Sequence, residues 1–296
     1  MPRGLRDIYL YRKEVIPLLA QNEIFLFSEA DRQLFDSRRV TERQLLTPEV
    51  IDYEMQTGKS TRTLRLIRPT QEGLEHFAAR YGSGIRTLVL EDCALLTDLS
   101  PLSHLTSLEH ISIDGCRADS LWDMSGCRSL RLISLSSSKA LTRNPELLRT
   151  APAVEEIRLW GGSFENRYTL DSLECFRCLK TLQRIDLNDI ILTDRSMDVL
   201  DTLPALYEFN FGAGMLTTEE IAFLCAKYPH LTGESMGAYT LHEIPCPGDV
   251  RICGQRKPSL TLPKDRKRLD KYIADFNALV CEYRAGLLPH PTERTV

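Results

Sequence analysis

The sequence predicts an α/β solenoid in which short parallel strands repeat along the chain. Seven segments carry an apolar, a variable and an apolar residue in succession, and their first apolar residues lie 22–28 positions apart. Self-similarity at such a period is typical of solenoids. Because side chains alternate across a strand, each segment buries one face of a parallel sheet and turns the other to solvent. The first apolar residues of the seven segments are Leu64, Leu88, Ile111, Ile133, Ile157, Ile185 and Phe209.

Composition places the chain among soluble globular proteins. Hydrophobic residues make up 43% of the 296 positions and charged residues 26%, which allows a large core. The net charge of −4 gives no electrostatic case for nucleic acid binding, and no apolar run approaches the ~20 residues that span a bilayer. The N-terminus lacks the unbroken apolar core of a secretory signal. The nine cysteines are therefore interpreted as reduced thiols of a cytoplasmic protein, with neither nucleic acid nor membrane as its partner.

Residues 1–59 precede the repeats and are predicted to form an N-terminal capping region. The run Ile24–Phe27 favours a strand, and Thr47 followed by a proline and a glutamate is a good helix start. A solenoid exposes its core at the first repeat unless something covers it. A cap is the plain interpretation of this region, and a separate functional domain is the alternative.

The repeats occupy residues 60–238 and number seven or eight, with Glu234 in the eighth copy. Their returning segments differ. Leucines every three residues between positions 96 and 108 predict a 3₁₀ or extended return, whereas Gln71–Tyr81 and the capping box that opens at Thr217 predict helices. The longest repeat carries extra polar residues at Ser163–Tyr168, which predicts a protrusion, because insertions in solenoids lie in loops on one face.

A C-terminal cap is predicted for residues 239–296. Val250–Cys253 favours one more strand, and an amphipathic helix is predicted over about residues 264–284 from apolar residues that recur at helical spacing. We expect this helix to act as a lid on the final repeat, with a detachable partner-binding helix as the alternative. The polar face of the helix carries Lys264, Arg266, Lys267, Arg268, Lys271 and Glu282.

The repeats resemble those of a known superfamily. The segment from Leu96 to Ile113 begins LTDLSPL and resembles the short repeats of bacterial internalin-type leucine-rich repeat proteins, and residues 60–238 are similar to the leucine-rich repeat superfamily as a whole. The run GQRKP at 254–258 before the final helix is similar to the tail of uncharacterised bacterial leucine-rich repeat proteins. The resemblance implies a curved horseshoe with a concave parallel sheet that binds proteins. The usual asparagine position departs from the family pattern and holds Cys93, Cys116, Ser138, Gly162, Ile190 and Gly214.

No motif makes a positive case for catalysis, so the chain is predicted not to be an enzyme and to need no cofactor. Cys175 and Cys178 form a lone C-x-x-C pair, whereas a zinc site wants two such pairs or a matching histidine pair; both are interpreted as core cysteines. His242, Cys246 and Cys253 offer three metal ligands without an evident fourth. A metal-binding or enzymatic protein that uses this region is the alternative to a binding module.

The function then depends on side chains that project from the exposed sheet face. Trp160, close to Glu156, Arg158 and Arg184, has the composition of a binding hot spot; packing of the tryptophan over neighbouring strands is the alternative. Carboxylates outnumber basic groups along this face, which favours a partner with basic character. The remaining predicted partner-binding residues are His110, Asp114, Glu91, Asp186, Asn188 and Glu208.

The sequence thus predicts a non-catalytic module that binds a protein partner on the concave face of the sheet. One specific version is an immunity-type protein that neutralises a toxin, which rests on the bacterial style of the repeats and the acidic face. The identity of the partner, the choice between concave and convex face, and the oligomeric state do not follow from the sequence.

Overall fold

The structure is a computed structural model, and it describes residues 24–26, 45–57, 63–141, 143–161, 168–246 and 248–291. The chain divides into two compact units. Unit 1 comprises Met1–Val154 and Trp160–Tyr168, and unit 2 comprises Glu155–Leu159 and Thr169–Val296.

Unit 1 is built on parallel strands with helical or 3₁₀ returns. Its strands are β1 (Ile24–Leu26), β2 (Thr63–Ile67), β3 (Thr87–Glu91), β4 (His110–Asp114) and β5 (Leu132–Ser136). Its helices are α1 (Pro48–Thr57) and α2 (Gln71–Tyr81), and its 3₁₀ helices are Ser100–His104 and Pro145–Thr150. The strands pair in the order β1-β2-β3-β4-β5, all in parallel.

Unit 2 continues the repeats and ends in a smaller antiparallel sheet. Its strands are β6 (Glu156–Trp160, whose last residue falls in unit 1), β7 (Tyr168–Leu170, whose first residue does), β8 (Arg184–Asn188), β9 (Ile190–Leu192), β10 (Glu208–Phe211), β11 (Tyr239–Cys246), β12 (Gly248–Ile252) and β13 (Ser259–Leu260). Its helices are α3 (Thr218–Lys227) and α4 (Arg266–Arg284), and its 3₁₀ helices are Leu173–Phe176 and Asp198–Thr202. The strand orders are β6-β8-β10, β7-β9 and β11-β12-β13.

The observed register is the one that the apolar pattern predicts. Leu64 pairs with Leu88, Leu88 with Ile111 and Ile111 with Ile133, and in unit 2 Ile185 pairs with Phe209. The first apolar residues of all seven segments are buried. A slip by one residue would turn every one of these side chains to the other face, so burial of one face specifies the register. The predicted α/β leucine-rich repeat fold, with its mixed 3₁₀ and helical returns, is confirmed.

A left-handed residue follows most of the strands, and the apolar pattern did not predict it. The φ angles are 58° at Arg68, 51° at Asp92, 67° at Gly115, 48° at Ser137 and 50° at Asp189. Each of these residues comes directly after its strand and turns the chain away from the sheet. The recurrent backbone angle is therefore a second mark of the repeat, carried by residues as different as arginine and glycine.

The sheet begins before the first apolar segment of the pattern. Ile24 pairs with Leu64 in parallel, so β1 adds a strand ahead of the predicted repeats. Leu46 is buried and forms a parallel bridge with Pro69. Helix α1 begins at Pro48, as predicted. The rest of residues 1–44 lies outside the described residues, and the boundaries at 59 and 238 stay predictions.

The eighth copy is reduced to a single bridge. Glu208 pairs with Thr232 in an isolated parallel bridge, and the Phe209 N–H donates to the Thr232 carbonyl at 2.8 Å. A Cβ on Gly233 would stand 2.2 Å from the Phe209 carbonyl oxygen, so the chain approaches β10 more closely here than any side chain allows. The predicted protrusion at Ser163–Tyr168 lies outside the described residues, apart from Tyr168.

Helix α4 packs along α3 and also covers the antiparallel sheet. The rings of Phe223 and Tyr283 lie 5.5 Å apart, and Arg284 Nη2 donates to the Cys225 carbonyl at 3.3 Å. The core between α4 and the sheet consists of Val250, Ile252, Leu260 and Leu269, with Leu262, Tyr272 and Ile273 packed against it. No helix among the described residues combines the length and the apolar character that crossing a membrane requires.

Candidate binding surface on the open face of the sheet

The open face of unit 2 consists of the side chains of β6, β8 and β10 that point away from the core. Strand burial alternates on β8 and β10, where Ile185, Leu187 and Phe209 are buried and the residues between them are not. Arg184 pairs with Glu208 and Asp186 with Asn210 across the two strands. Side chains of one face therefore meet in columns that run across the strands.

The charged groups of this face form a connected network. Arg158 Nε donates to Glu156 Oε1 at 2.5 Å, and Arg184 Nη2 lies 3.2 Å from Glu156 Oε2. The other Arg184 nitrogen, Nη1, lies 3.9 Å from Glu208 Oε2. Only 13% of the Glu156 side chain is exposed, against 45% of Arg184. The structure thus brings together four of the predicted binding residues, with the carboxylate of Glu156 bridging two guanidinium groups.

Two asparagines extend the network in the same manner on neighbouring strands. Asn188 Nδ2 donates to Asp186 Oδ1 at 2.5 Å, and Asn210 Nδ2 donates to Glu208 Oε1 at 2.7 Å. Asn210 Oδ1 in turn accepts the backbone N–H of Glu234 at 2.9 Å. Each acid is therefore held by the amide two residues later, which restricts its rotamers before any partner arrives.

This surface can bind by hydrogen bonding with little rearrangement. Charge-assisted hydrogen bonds hold the Glu156 and Glu208 carboxylates in place, so a partner would not have to order them. Tyr207, directly before β10, adds an aromatic side chain that is 45% exposed. The sequence analysis did not include Tyr207, although its backbone aligns with Gln183 and an aromatic residue is unusual in that otherwise polar position.

The open face of unit 1 also carries paired charges. Arg65 and Glu91 form an ion pair across β2 and β3, and Arg68 Nε lies 3.5 Å from Asp92 Oδ2. Glu91 is thus tied to its neighbour strand. Val89 was predicted to face solvent, but only 2% of it is exposed, which corrects that expectation.

Other predicted binding residues of unit 1 are half-buried. His110 and Asp114 occupy the ends of β4, and Trp160 ends β6. The Trp160 carbonyl accepts the backbone N–H of Ser137 at 2.9 Å, which fixes its main chain. Trp160 falls in unit 1 and Glu156, Arg158 and Arg184 in unit 2, so its membership of one hot spot with them stays a prediction.

The cysteines of the repeats are packing residues, as their positions predicted. Cys93 and Cys116 are buried, and burial raises the pKa of both thiols. Cys116 Sγ donates to the Leu96 carbonyl at 3.7 Å, and Cys127 Sγ donates to the Leu105 carbonyl at 3.7 Å. A thiol that is buried and holds its proton is a poor nucleophile.

The C-x-x-C pair was predicted to lie in the core, and that prediction is wrong for one member. Cys175 is buried, whereas Cys178 is exposed. The physical reason is the short 3₁₀ helix, which ends at Phe176, before the chain turns through φ 75° at Cys178. The two cysteines therefore have different surroundings and do not act as one core pair.

The predicted metal alternative finds no support in the part of the chain that the structure describes. Burial raises the pKa of Cys253 to about 11, whereas a metal ligand must be a thiolate. Within the described ranges, no three histidine, cysteine or acidic side chains come together to hold a metal ion. The side chains of His242 and Cys246 lie outside those ranges.

A polar cluster that the sequence analysis missed joins α1 to α2. Asp52 Oδ1 accepts hydrogen bonds from the Tyr81 hydroxyl at 2.6 Å and from His76 Nε2 at 2.7 Å, and Arg80 Nη1 lies 3.4 Å from Asp52 Oδ2. The hydrogen bonds from His76 and Tyr81 lower the pKa of Asp52. The three partners recur at helical spacing on α2, but nothing local in the sequence places Asp52 opposite them.

Comparison with known proteins finds likeness in structure alone. No protein-family model matches the chain, and no curated protein matches it in sequence. Among solved structures, a leucine-rich repeat protein of Leptospira interrogans is 12% identical with a TM-score of 0.41, and the alignment covers 75% of this chain and 60% of that one. The chain thus spans less than two thirds of that protein.

Two further solved structures have the same kind of repeat. An internalin of Listeria monocytogenes is 15% identical with a TM-score of 0.35, over 70% of this chain and 68% of that one. The leucine-rich repeat protein FLRT2, solved in an octameric complex with Latrophilin 3 and Unc5D, is 15% identical with a TM-score of 0.30, over 58% and 68%. At these TM-scores the matches say nothing about function, and the assignment of the fold rests on the strands of the chain itself.

Proposed function

We propose that this leucine-rich repeat chain is a non-catalytic module that binds a protein partner through the open face of unit 2. The observation that carries the proposal is the network in which Glu156 bridges Arg158 and Arg184 while Arg184 also approaches Glu208. A preorganised set of charges on a rigid sheet suits recognition of another protein, because few side chains need to be ordered on binding.

The chemistry of the face favours a partner with basic groups. Glu156, Asp186 and Glu208 outnumber the two arginines of the network, and Asn188 and Asn210 leave the carboxylates with spare acceptor capacity. A basic side chain of the partner could bind these oxygens, and charge complementarity would raise the association rate more than the affinity. A basic toxin, neutralised by an immunity-type protein, is one partner of this class.

Arg184→Glu tests the proposal because it places a third carboxylate between Glu156 and Glu208. Full-length wild type and variant are immobilised, and proteins captured from the native cell extract are compared by quantitative mass spectrometry. We expect a partner that wild type retains to fall at least tenfold with Arg184→Glu, since like charges then repel within the face. The ion pairs lost are partly exposed, so folding should be affected by no more than about 1 kcal/mol.

Arg128→Glu is the matched control, because Arg128 is exposed and lies before β5 rather than on the open face of unit 2. It changes the net charge by the same amount and should leave capture unchanged. Retention of every captured protein by Arg184→Glu would exclude this face as the binding surface. Equal loss in both variants would point to net charge alone.

A further inference from the structure

Four lysines form an exposed patch at the N-terminal end of α4, which we name the lysine patch. Lys267 and Lys271 lie one turn apart on the same side of the helix, and Lys264 precedes the helix. All three are exposed. Lys257 joins them from the loop after β12, since its Nζ lies 5.6 Å over the ring of Tyr272.

The arginines of this region have carboxylate partners and the lysines do not. Arg266 Nε donates to Asp270 Oδ1 at 2.9 Å, and Arg268 Nη1 donates to Asp265 Oδ1 at 3.2 Å. Among residues 248–291 and the other described ranges, no carboxylate oxygen lies within 4.0 Å of a lysine-patch nitrogen. The patch therefore presents positive charge that the fold leaves uncompensated.

The stability of α4 does not account for these charges. The first turn of the helix contains no acidic residue, and cations there oppose the positive end of the helix dipole. Asp265 occupies the N-cap position but makes no capping hydrogen bond from its side chain to the helix. An anion bound at the patch would relieve both the repulsion among the lysines and the conflict with the dipole.

We infer that the lysine patch docks an acidic segment of a protein partner, separately from the open face. The patch is short, because Lys264 and Lys271 are seven residues apart, which is about 10 Å along a helix. Asp265, Asp270 and Asp275 border it and would repel a long polyanion. A few carboxylates of a peptide fit this length, whereas a nucleic acid duplex presents phosphates over a much wider surface.

An anionic membrane fits the same surface less well. The apolar side of α4 is occupied, since Leu269 packs into the core with Val250 and Ile252 and Phe276 is buried. An interfacial helix needs that side free to enter the lipid. The net charge of −4 also opposes the approach of an extended anionic surface, while a short acidic segment interacts mainly with the nearest charges.

The test measures binding of a fluorescein-labelled peptide of eight glutamates to the purified full-length chain by fluorescence anisotropy. We expect saturable binding in about 0.15 M salt that weakens on raising the salt to about 0.5 M, and at least tenfold weaker binding by Lys267→Glu/Lys271→Glu. These substitutions put acidic residues near the start of α4, which favours the helix, so loss of binding would not come from unfolding.

Arg117→Glu/Arg128→Glu is the control, with the same change in net charge at two exposed positions of unit 1. It should bind the peptide as wild type does. Absence of binding by wild type, or equal loss in both double variants, would overturn the inference. Tighter binding of a 20-nucleotide single-stranded DNA or of phosphatidylserine vesicles than of the peptide would also overturn it and assign the patch to that anion. None of these results depends on whether the open face of unit 2 binds a partner.

Discussion

At the scale of single residues, the open face of unit 2 owes its character to pairing between neighbouring strands. Glu156 and Arg184 belong to different repeats and meet because strand register aligns them. Their types were visible in the sequence as exposed positions, and the predicted binding residues Glu156, Arg158, Arg184 and Glu208 do lie together. Their pairing was not predictable, because it depends on the rotamers of side chains that are 28 or more residues apart in sequence.

Trp160→Ala distinguishes the two interpretations of the tryptophan. We expect loss of the captured partner with a change in melting temperature of only a few degrees, since the side chain is only half-buried. Capture experiments on the variant, beside circular-dichroism melting curves, give both quantities. A large fall in melting temperature with capture retained would instead show that Trp160 packs over neighbouring strands.

Gly254 is a residue whose lack of a side chain the fold requires. Its φ is 132°, and a Cβ there would stand 2.3 Å from Thr218 Oγ1, where the loop after β12 meets the start of α3. We expect Gly254→Ala to lower the free energy of unfolding by about 1–3 kcal/mol or more, because strain and overlap add. Urea unfolding monitored by circular dichroism measures this.

Gly237→Ala is the control for that measurement, because a Cβ at Gly237 meets no atom within 4 Å. It should change the free energy of unfolding by no more than about 0.5 kcal/mol. Equal effects of the two substitutions would mean that the close approach to Thr218 does not limit the backbone of Gly254.

At the scale of elements, local patterns predicted helices and strands well where burial alternates. Helix α2 spans Gln71–Tyr81 as predicted, with the Thr70 side chain accepting the Gly73 N–H, and the capping box of Thr217 and Glu220 is present at α3. The pairing of β1 with β2 and the attachment of α1 to α2 were not predicted, since they join segments that share no period. The Asp52 cluster supplies that attachment.

The Asp52 cluster predicts a contribution to stability that acid removes. The pKa of Asp52 is lowered in the folded chain, so the folded state favours the carboxylate more than the unfolded state does. The stabilisation is complete above the ordinary aspartate pKa of about 4 and is lost as the pH falls through the lower folded value. Asp52→Asn should therefore flatten the fall of the melting temperature below about pH 4.

Melting curves between pH 3 and 6 compare wild type, Asp52→Asn and the control Glu146→Gln. Glu146 is exposed and makes no hydrogen bond or ion pair among the described residues, so its variant should follow the wild-type pH dependence. A pH dependence of Asp52→Asn that runs parallel to wild type would contradict the role of the cluster in holding α1 on α2.

At the scale of the whole molecule, the sequence by itself determined the repeat. Apolar residues alternate with period two within each strand and return every 22–28 residues, and burial of one sheet face then leaves a single register. Tertiary structure decided how charges pair across β6, β8 and β10, where Asp52 finds its three partners, and which lysines remain uncompensated. Burial follows from local periodicity, whereas an ion pair depends on the distance between atoms that only the folded chain brings together.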